Sequence, residues 1–532
     1  MGVVTGSPDT PVRSSSVADA PESRATWWVL GAIVVLGILV RFTTLGQQSF
    51  WYDEATTWGI VSHGLGHVLS TVPRTESTPP LYYVLLWVWD RVFGTGEVGL
   101  RSFSALCSTL TIPVVFLIGR RLVSDRVGLV AALLTAVNPF LFWYAQEARS
   151  YSLLLLLSAV SLLAFVYAQE APTPRRLLLW GLASALAIAA HYYAAVLIVA
   201  EAAWLAVALA RARRLTWGRV VSGLAPVVIV GGALLPLAIH QNDGRAGYIA
   251  TSEGSLPYRV AELLKEDVIG AGQPDKALLT VLGLLLVAVS LILLARTPDR
   301  AARRAGWMLL AVGGGGVLIA IVAAAVGTDY FDTRNLIATW PALCVVVATG
   351  LGATGLGATG LGATRQEATR QGATRLGATR PPRAGMLATA GLVVLSLVCV
   401  WNIVSDVQYQ RPDWGGAAGV IGAGSAPRAI VSGIQSQIPL EPYLRDMRVY
   451  PAAGRAVREV DVIWVQRRYQ WGPLSPISSV ALPGFRLAEV RRTRSYVVER
   501  YLAPAPQVET PATLDRLYPP ASPALSLVQQ RS

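Results

Sequence analysis

Apolar blocks recur along the chain, as in Trp27 to Val40 and Ala277 to Ala295, and each approaches the roughly 20 residues that cross a bilayer as a helix. Over 532 residues, 53% are hydrophobic and only 14% are charged, with mean hydropathy +0.48. Soluble proteins average about 25% charged residues, so this surface cannot be one that faces water throughout. A single soluble domain is excluded, and the pattern predicts an α-helical polytopic membrane protein.

The positions of the cations predict the topology. Lys+Arg number 45 against 32 Asp+Glu, a net charge of +13. The excess lies in short clusters between apolar blocks, whereas a nucleic-acid footprint gathers it on one soluble face; no nucleic-acid partner is implied. Short cytoplasmic loops collect Lys and Arg. With spans near 26–44, 100–118, 126–144, 151–168, 177–190, 194–210, 220–239, 277–295, 306–326, 335–352 and 384–404, eighteen cations fall on the inner side and nine on the outer. That count requires Leu81 to Phe93, broken by Asp90 and Arg91, to lie along the outer interface instead of crossing. The reading is about eleven transmembrane helices in a multi-pass protein of the cell membrane, N-terminus cytoplasmic and C-terminus outside.

The remaining segments divide as follows. Residues 1–25 read as a disordered cytoplasmic tail, 26–404 as the transmembrane domain, 46–99 as its first outer loop, and 351–383 as a low-complexity cytoplasmic loop in which Thr recurs every five residues from Thr354 to Thr379. Gly355, Gly357 and Gly360 form a GxGxxG only as a by-product of that repeat. Gly313 to Gly316, inside a span, predict close helix packing. Residues 405–502 read as a small α/β extracytoplasmic domain and the Pro-rich 503–532 as a disordered tail. Cys107, Cys344 and Cys399 sit in apolar segments and imply no disulfide framework.

Candidate chemistry lies at the outer ends of the spans. Asp53 and Glu54 follow Phe50, Trp51 and Tyr52. Neighbours on a helix point about 100° apart, so the two do not form a facing acid and base. Either one does chemistry while the other holds the loop, or both are solvated acids of an aromatic interfacial belt. In Gln146-Glu147-Ala148-Arg149-Ser150-Tyr151, Glu147 and Arg149 either bind each other or Glu147 orients Arg149 toward an anionic ligand, since a guanidinium matches phosphate geometry. His191 with Tyr192, and Asp329, Asp332 and Arg334, are further outer-end candidates, while His63 and His67 lack an acid at metal-ligand spacing.

At these positions the chain resembles the membrane glycosyltransferases of the GT-C fold. The branch it is most similar to is the bacterial dolichyl- or polyprenyl-phosphate-mannose-type mannosyltransferases, akin to protein O-mannosyltransferases and the lipid A aminoarabinose transferase. The resemblance is carried by Trp51 to Glu54, Thr78-Pro79-Pro80-Leu81-Tyr82-Tyr83, Gln146 to Tyr151, Thr333-Arg334-Asn335-Leu336 with Pro341, and Pro412-Asp413-Trp414. Asn335 and Gly415 stand where that family often has Tyr and Arg. The resemblance implies Asp53 as catalytic base, with Glu54 beside it, Arg149 and Arg334 near the phosphate of a polyprenyl-phosphate sugar, and Glu147, Tyr83, Tyr151 and His191 as substrate contacts. No metal ligand or cofactor is assigned. The implied partners are the lipid-linked donor, a protein, lipid or glycan hydroxyl acceptor, and membrane lipid.

The chemistry agrees with that placement. A phosphate leaving group needs charge neutralisation more than a proton, and the acceptor hydroxyl needs a carboxylate within about 2.6–3.2 Å. The competing class is a transporter or flippase of a lipid-linked sugar, which ionisable residues deep in several spans would favour. Glu201 is the main such residue.

Overall fold

The computed structural model describes residues 24–242, 253–353, 383–422, 427–444, 446–466, 481–518 and 524–529. The expected tail 1–25 and loop 351–383 fall almost entirely outside the described residues. Among these described residues fifteen helices precede residue 353: α1 (Arg24–Phe42), α2 (Tyr52–Val61), α3 (Leu65–Thr75), α4 (Leu81–Phe93), α5 (Glu97–Leu122), α6 (Asp125–Val137), α7 (Pro139–Ala145), α8 (Tyr151–Glu170), α9 (Pro174–Ala190), α10 (Ala194–Arg211), α11 (Trp217–Asn242), α12 (Leu256–Ile269), α13 (Lys276–Arg296), α14 (Arg300–Ala325) and α15 (Trp340–Gly352). A 3-10 turn, Thr333–Thr339, leads into α15, and α16 (Arg383–Ser405) closes the helical domain.

Among the described residues, nine helices are long and apolar enough to cross a membrane, or ten if the bent pair α6 and α7 is one span. The expected eleven differ from this in two places. The span expected at 126–144 is bent by 56° between α6 and α7. Pro139 carries no N–H and cannot continue the helix ladder, and Asn138 caps the new start by accepting from the Leu141 N–H at 2.9 Å. The carbonyls of Thr135 and Ala136 freed at the break accept from the buried Arg41 at 2.8 and 2.7 Å. The segment expected at 177–190 is α9, 17 residues long, packed between α8 and α11.

Helices that alternate in direction place their ends in two groups. Arg120, Arg121, Arg175, Arg176, Arg211, Arg296, Arg300 and Arg383 stand at one end of the bundle. At the other end α2, α3 and α4 fold over the helix termini. Leu81–Phe93 is 13 residues, about 20 Å at 1.5 Å per residue, too short for a hydrocarbon core of about 30 Å. It packs on α2, α3 and α5 through Tyr82, Tyr83 and Leu86, each fully buried.

The C-terminal part is a six-stranded sheet: β1 (Arg428–Gly433), β2 (Met447–Val449), β3 (Arg455–Val465), β4 (Arg486–Arg492), β5 (Tyr496–Glu509) and β6 (Ala524–Gln529), in the order β2-β6-β1-β3-β5-β4. Among the described strands only β1 and β3 pair in parallel. α17 (Trp414–Ile421) and two short helices, α18 (Gln437–Leu440) and α19 (Pro511–Leu514), complete it. The expectation of disorder over 503–532 is corrected for 503–518 and 524–529, the described residues of that stretch. Pro504 and Pro506 lie where the β3–β5 ladder is interrupted, between the Glu459–Leu502 and Val457–Gln507 pairs, so their missing N–H groups break no pairing. Leu525, Leu527 and Val528 then pack into the sheet.

Candidate active site

The site begins where α2 starts. Its first turn carries Asp53 and Glu54, whose negative charges suit a helix N-terminus, and the 100° between neighbours separates their fates. Glu54 points inward and is fully buried. Its carboxylate takes a forked pair from Arg101 at 2.7 and 2.6 Å, accepts from the Ala148 N–H at 2.9 Å, and has Arg411 at 3.8 Å. Burial alone would raise the Glu54 carboxyl, but the Arg101 pair overrides it and holds the group below the ordinary carboxylate range. Arg101 also donates to the carbonyls of Leu45, Gln48 and Ser49. Glu54 therefore locks the loop to the bundle, which removes it from the catalytic candidates. Asp53 points the other way, is about one-quarter exposed, and faces Arg334 at 3.6 Å.

Arg149 and Glu147 do not pair with each other, nor does Glu147 orient Arg149. The partner of Arg149 is Glu76, which the sequence reading passed over: the two form a fork at 3.0 and 2.8 Å. Arg149 also reaches the Thr57 hydroxyl at 3.3 Å and the Asp53 carbonyl at 3.5 Å. Its Nε–H is buried and meets no acceptor among the described residues. Glu147 instead holds Arg411 at 3.2 Å, joining the α7–α8 turn to the segment after α16. A buried cation invites an acid partner, but nothing in the local sequence of Arg149 or Glu147 tells which distant residue supplies it.

Arg334, in the 3-10 turn before α15, is oriented by Asp332 at 2.8 Å and turns its other nitrogen to Asp53. Asn335, where the resembled family has Tyr, donates to the Tyr330 carbonyl at 2.9 Å and so holds this turn. Tyr151 stacks edge-on to Tyr144 and near His191, with ring centroids 5.1 and 5.8 Å apart. His191 accepts from the Tyr193 N–H at 3.1 Å. Its burial, then the charges of Arg149 and Arg334, push it down to about 3, so it stays a neutral ring. Tyr83 is buried near Arg149 and Glu76. The Asp53 carboxylate thus faces the guanidinium of Arg334, which Asp332 anchors, while Arg149, anchored by Glu76, reaches the Asp53 carbonyl, with Tyr151 and the neutral His191 close by. Among the described residues no cluster of three or more potential metal ligands forms.

Comparison with known proteins adds to this geometry. Residues 77–233 match the family described as dolichyl-phosphate-mannose-protein mannosyltransferase. The chain overlays the crystal structure of ArnT from Cupriavidus metallidurans bound to undecaprenyl phosphate, with TM-score 0.52 at 13% identity, covering 90% of this chain and 98% of that one. The apo structure of the same protein gives TM-score 0.51 at 15% identity with the same coverage. The chain has the GT-C fold. Among curated proteins none matches its sequence. In this GT-C fold the stretch matched by the family begins at Ser77, beside Glu76, and runs through Tyr83, Glu147, Arg149, Tyr151 and His191. Asp53 and Arg334 lie outside it and join the cluster through the fold.

Proposed function

We propose that this protein is a glycosyltransferase that moves a sugar, mannose or a similar hexose, from a polyprenyl-phosphate carrier to a hydroxyl acceptor on the extracytoplasmic side of the membrane. The observation that carries the reading is Asp53: a partly exposed carboxylate 3.6 Å from Arg334, next to Glu54, which is buried in an ion pair. Asp53 takes the proton of the acceptor hydroxyl, the oxygen attacks the anomeric carbon, and the C–O bond to phosphate breaks with its electron pair leaving on the lipid phosphate. One base and an in-line attack invert the anomeric centre.

Arg149 and Arg334 supply the charge that a phosphate leaving group needs. The buried Nε–H of Arg149 is a donor suited to a phosphate oxygen. The Arg-rich helix ends opposite the site support its placement outside, by the charge bias of cytoplasmic loops. Support for the donor class comes from the family matched over 77–233 and from the undecaprenyl phosphate bound by ArnT. Glu201 argues little for transport: one of its oxygens accepts from Ser161 and Trp180 at 2.8 and 2.7 Å, tying α8, α9 and α10 together.

The test is to incubate the purified protein with polyprenyl-phosphate mannose and measure released polyprenyl phosphate. General-base removal typically costs about 10²–10⁴-fold, so Asp53→Asn should lose at least 100-fold while melting unchanged. Unaltered turnover in Asp53→Asn, or lipid crossing liposomes with no carrier sugar consumed, overturns the reading.

A further inference from the structure

A cavity of about 1000 Å³ opens between α12, the start of α13 and the 3-10 turn, at the upper end of the volumes ligand sites take. Asp332 and Thr333 line it. Because Asp332 holds Arg334, and Arg334 faces Asp53, an occupant of this cavity is two side chains from the proposed base. The wall carries five carboxylates against three cations. Groups of both signs are engaged already: Arg259 forks onto Asp329 at 2.7 and 2.6 Å, Lys265 pairs with Glu262, and Asp332 pairs with Arg334.

Charge and hydrogen-bonding capacity then select the occupant. Carboxylates only accept hydrogen bonds, and like charge brought beside them is disfavoured. A phosphorylated or sulfated acceptor meets repulsion. A sugar, which donates from every hydroxyl, meets complementary oxygens, and Tyr258, 55% exposed on the wall, offers a flat face to a pyranose ring. A peptide, with as many carbonyls as N–H groups, matches such a wall less well. The geometry points to a neutral glycan as the acceptor, held in this cavity through its hydroxyls by carboxylates such as Asp275 and by the ring of Tyr258. This rests on the reading of donor and base given above.

Binding is measured on the full-length Asp53→Asn protein in detergent, by saturation-transfer NMR with mannotriose, mannotriose 6-phosphate and a serine-containing hexapeptide. Mannotriose should bind at least tenfold more tightly than the other two, and Tyr258→Ala or Asp275→Asn should weaken it at least tenfold. Glu266→Lys should narrow the gap between mannotriose and its phosphate. Equal or tighter binding of the phosphate or the peptide overturns the inference, as do mannotriose binding that ignores all three substitutions and no mannotriose binding at all. A parallel transfer assay separates the two readings. Saccharide bound in the cavity with no carrier sugar consumed by wild type defeats the donor reading alone. Transfer with an acceptor KM unmoved by Tyr258→Ala defeats the glycan site alone.

Discussion

Asp53 and Glu54 are adjacent and chemically alike, yet the fold gives them opposite surroundings, and the difference is measurable. Breaking a buried ion pair by removing one charge costs about 3–5 kcal/mol, so Glu54→Gln should lower the melting temperature in detergent by several degrees, whereas Asp53→Asn should leave it in place. His191 makes a second test. Its pKa is near 6.5 in an unfolded chain and about 3 in the fold. Between those values the unfolded chain binds a proton that the folded protein does not, so stability is lost as pH falls from about 6.5 toward 3. His191→Gln should show a smaller drop in melting temperature from pH 7 to pH 5; an equal drop would refute the assignment. The 100° between neighbours was legible in the sequence, and with it the expectation that the two acids do not form a facing pair. Which one turns inward was not, because the deciding partner, Arg101, lies 47 residues on.

At the scale of helices, close approach is set by glycines, and their surroundings differ sharply. A Cβ on Gly350 would stand 2.1 Å from the Ser290 carbonyl oxygen, and one on Gly181 would stand 2.2 Å from that of Gly223. Either Gly→Ala change pushes two helix backbones apart and should cost about 1–3 kcal/mol, as overpacking does. Gly314→Ala should be silent in the same melting experiment, since nothing lies within 4 Å of its added carbon. The run Gly313 to Gly316 predicted close packing, and a Cβ added at Gly313 or Gly316 would stand 3.1 Å from Ala342 or 3.0 Å from Thr339. Periodicity could not say which glycines of the run face a neighbour, because that depends on the rotation of α14 against α15. Gly415 is a related case: a side chain there would meet the Ser49 hydroxyl at 2.8 Å and the ring of Tyr443 at 3.1 Å, which accounts for glycine where the resembled family often has Arg.

Over the whole molecule, the soluble part is riveted to the membrane part at the site. Ser49 donates to Asp413 at 2.7 Å, the Phe50 N–H donates to the Tyr443 hydroxyl at 2.7 Å, and that hydroxyl donates to Glu97. Arg411 is buried against Glu147 and over the ring of Trp143 at 4.1 Å. Arg411→Ala therefore leaves a buried Glu147 charge without this partner and should destabilise the helical domain by about 3–5 kcal/mol. Circular dichroism melts would show it as one earlier transition of the whole protein; loss confined to the sheet would contradict the coupling. None of these contacts was visible in sequence, because each joins residues more than 250 positions apart.

The strand order carries a consequence for how this protein is made. β6 follows every other strand in the chain, yet it sits inside the sheet and is the neighbour through which β2 joins it. While the ribosome is still reading the codons before Ala524, β1 has one bare edge and β2 has no ladder to enter. A stall or premature stop in that interval leaves a nascent sheet with an unpaired apolar margin beside an already inserted bundle, a state that quality-control proteases are well placed to clear.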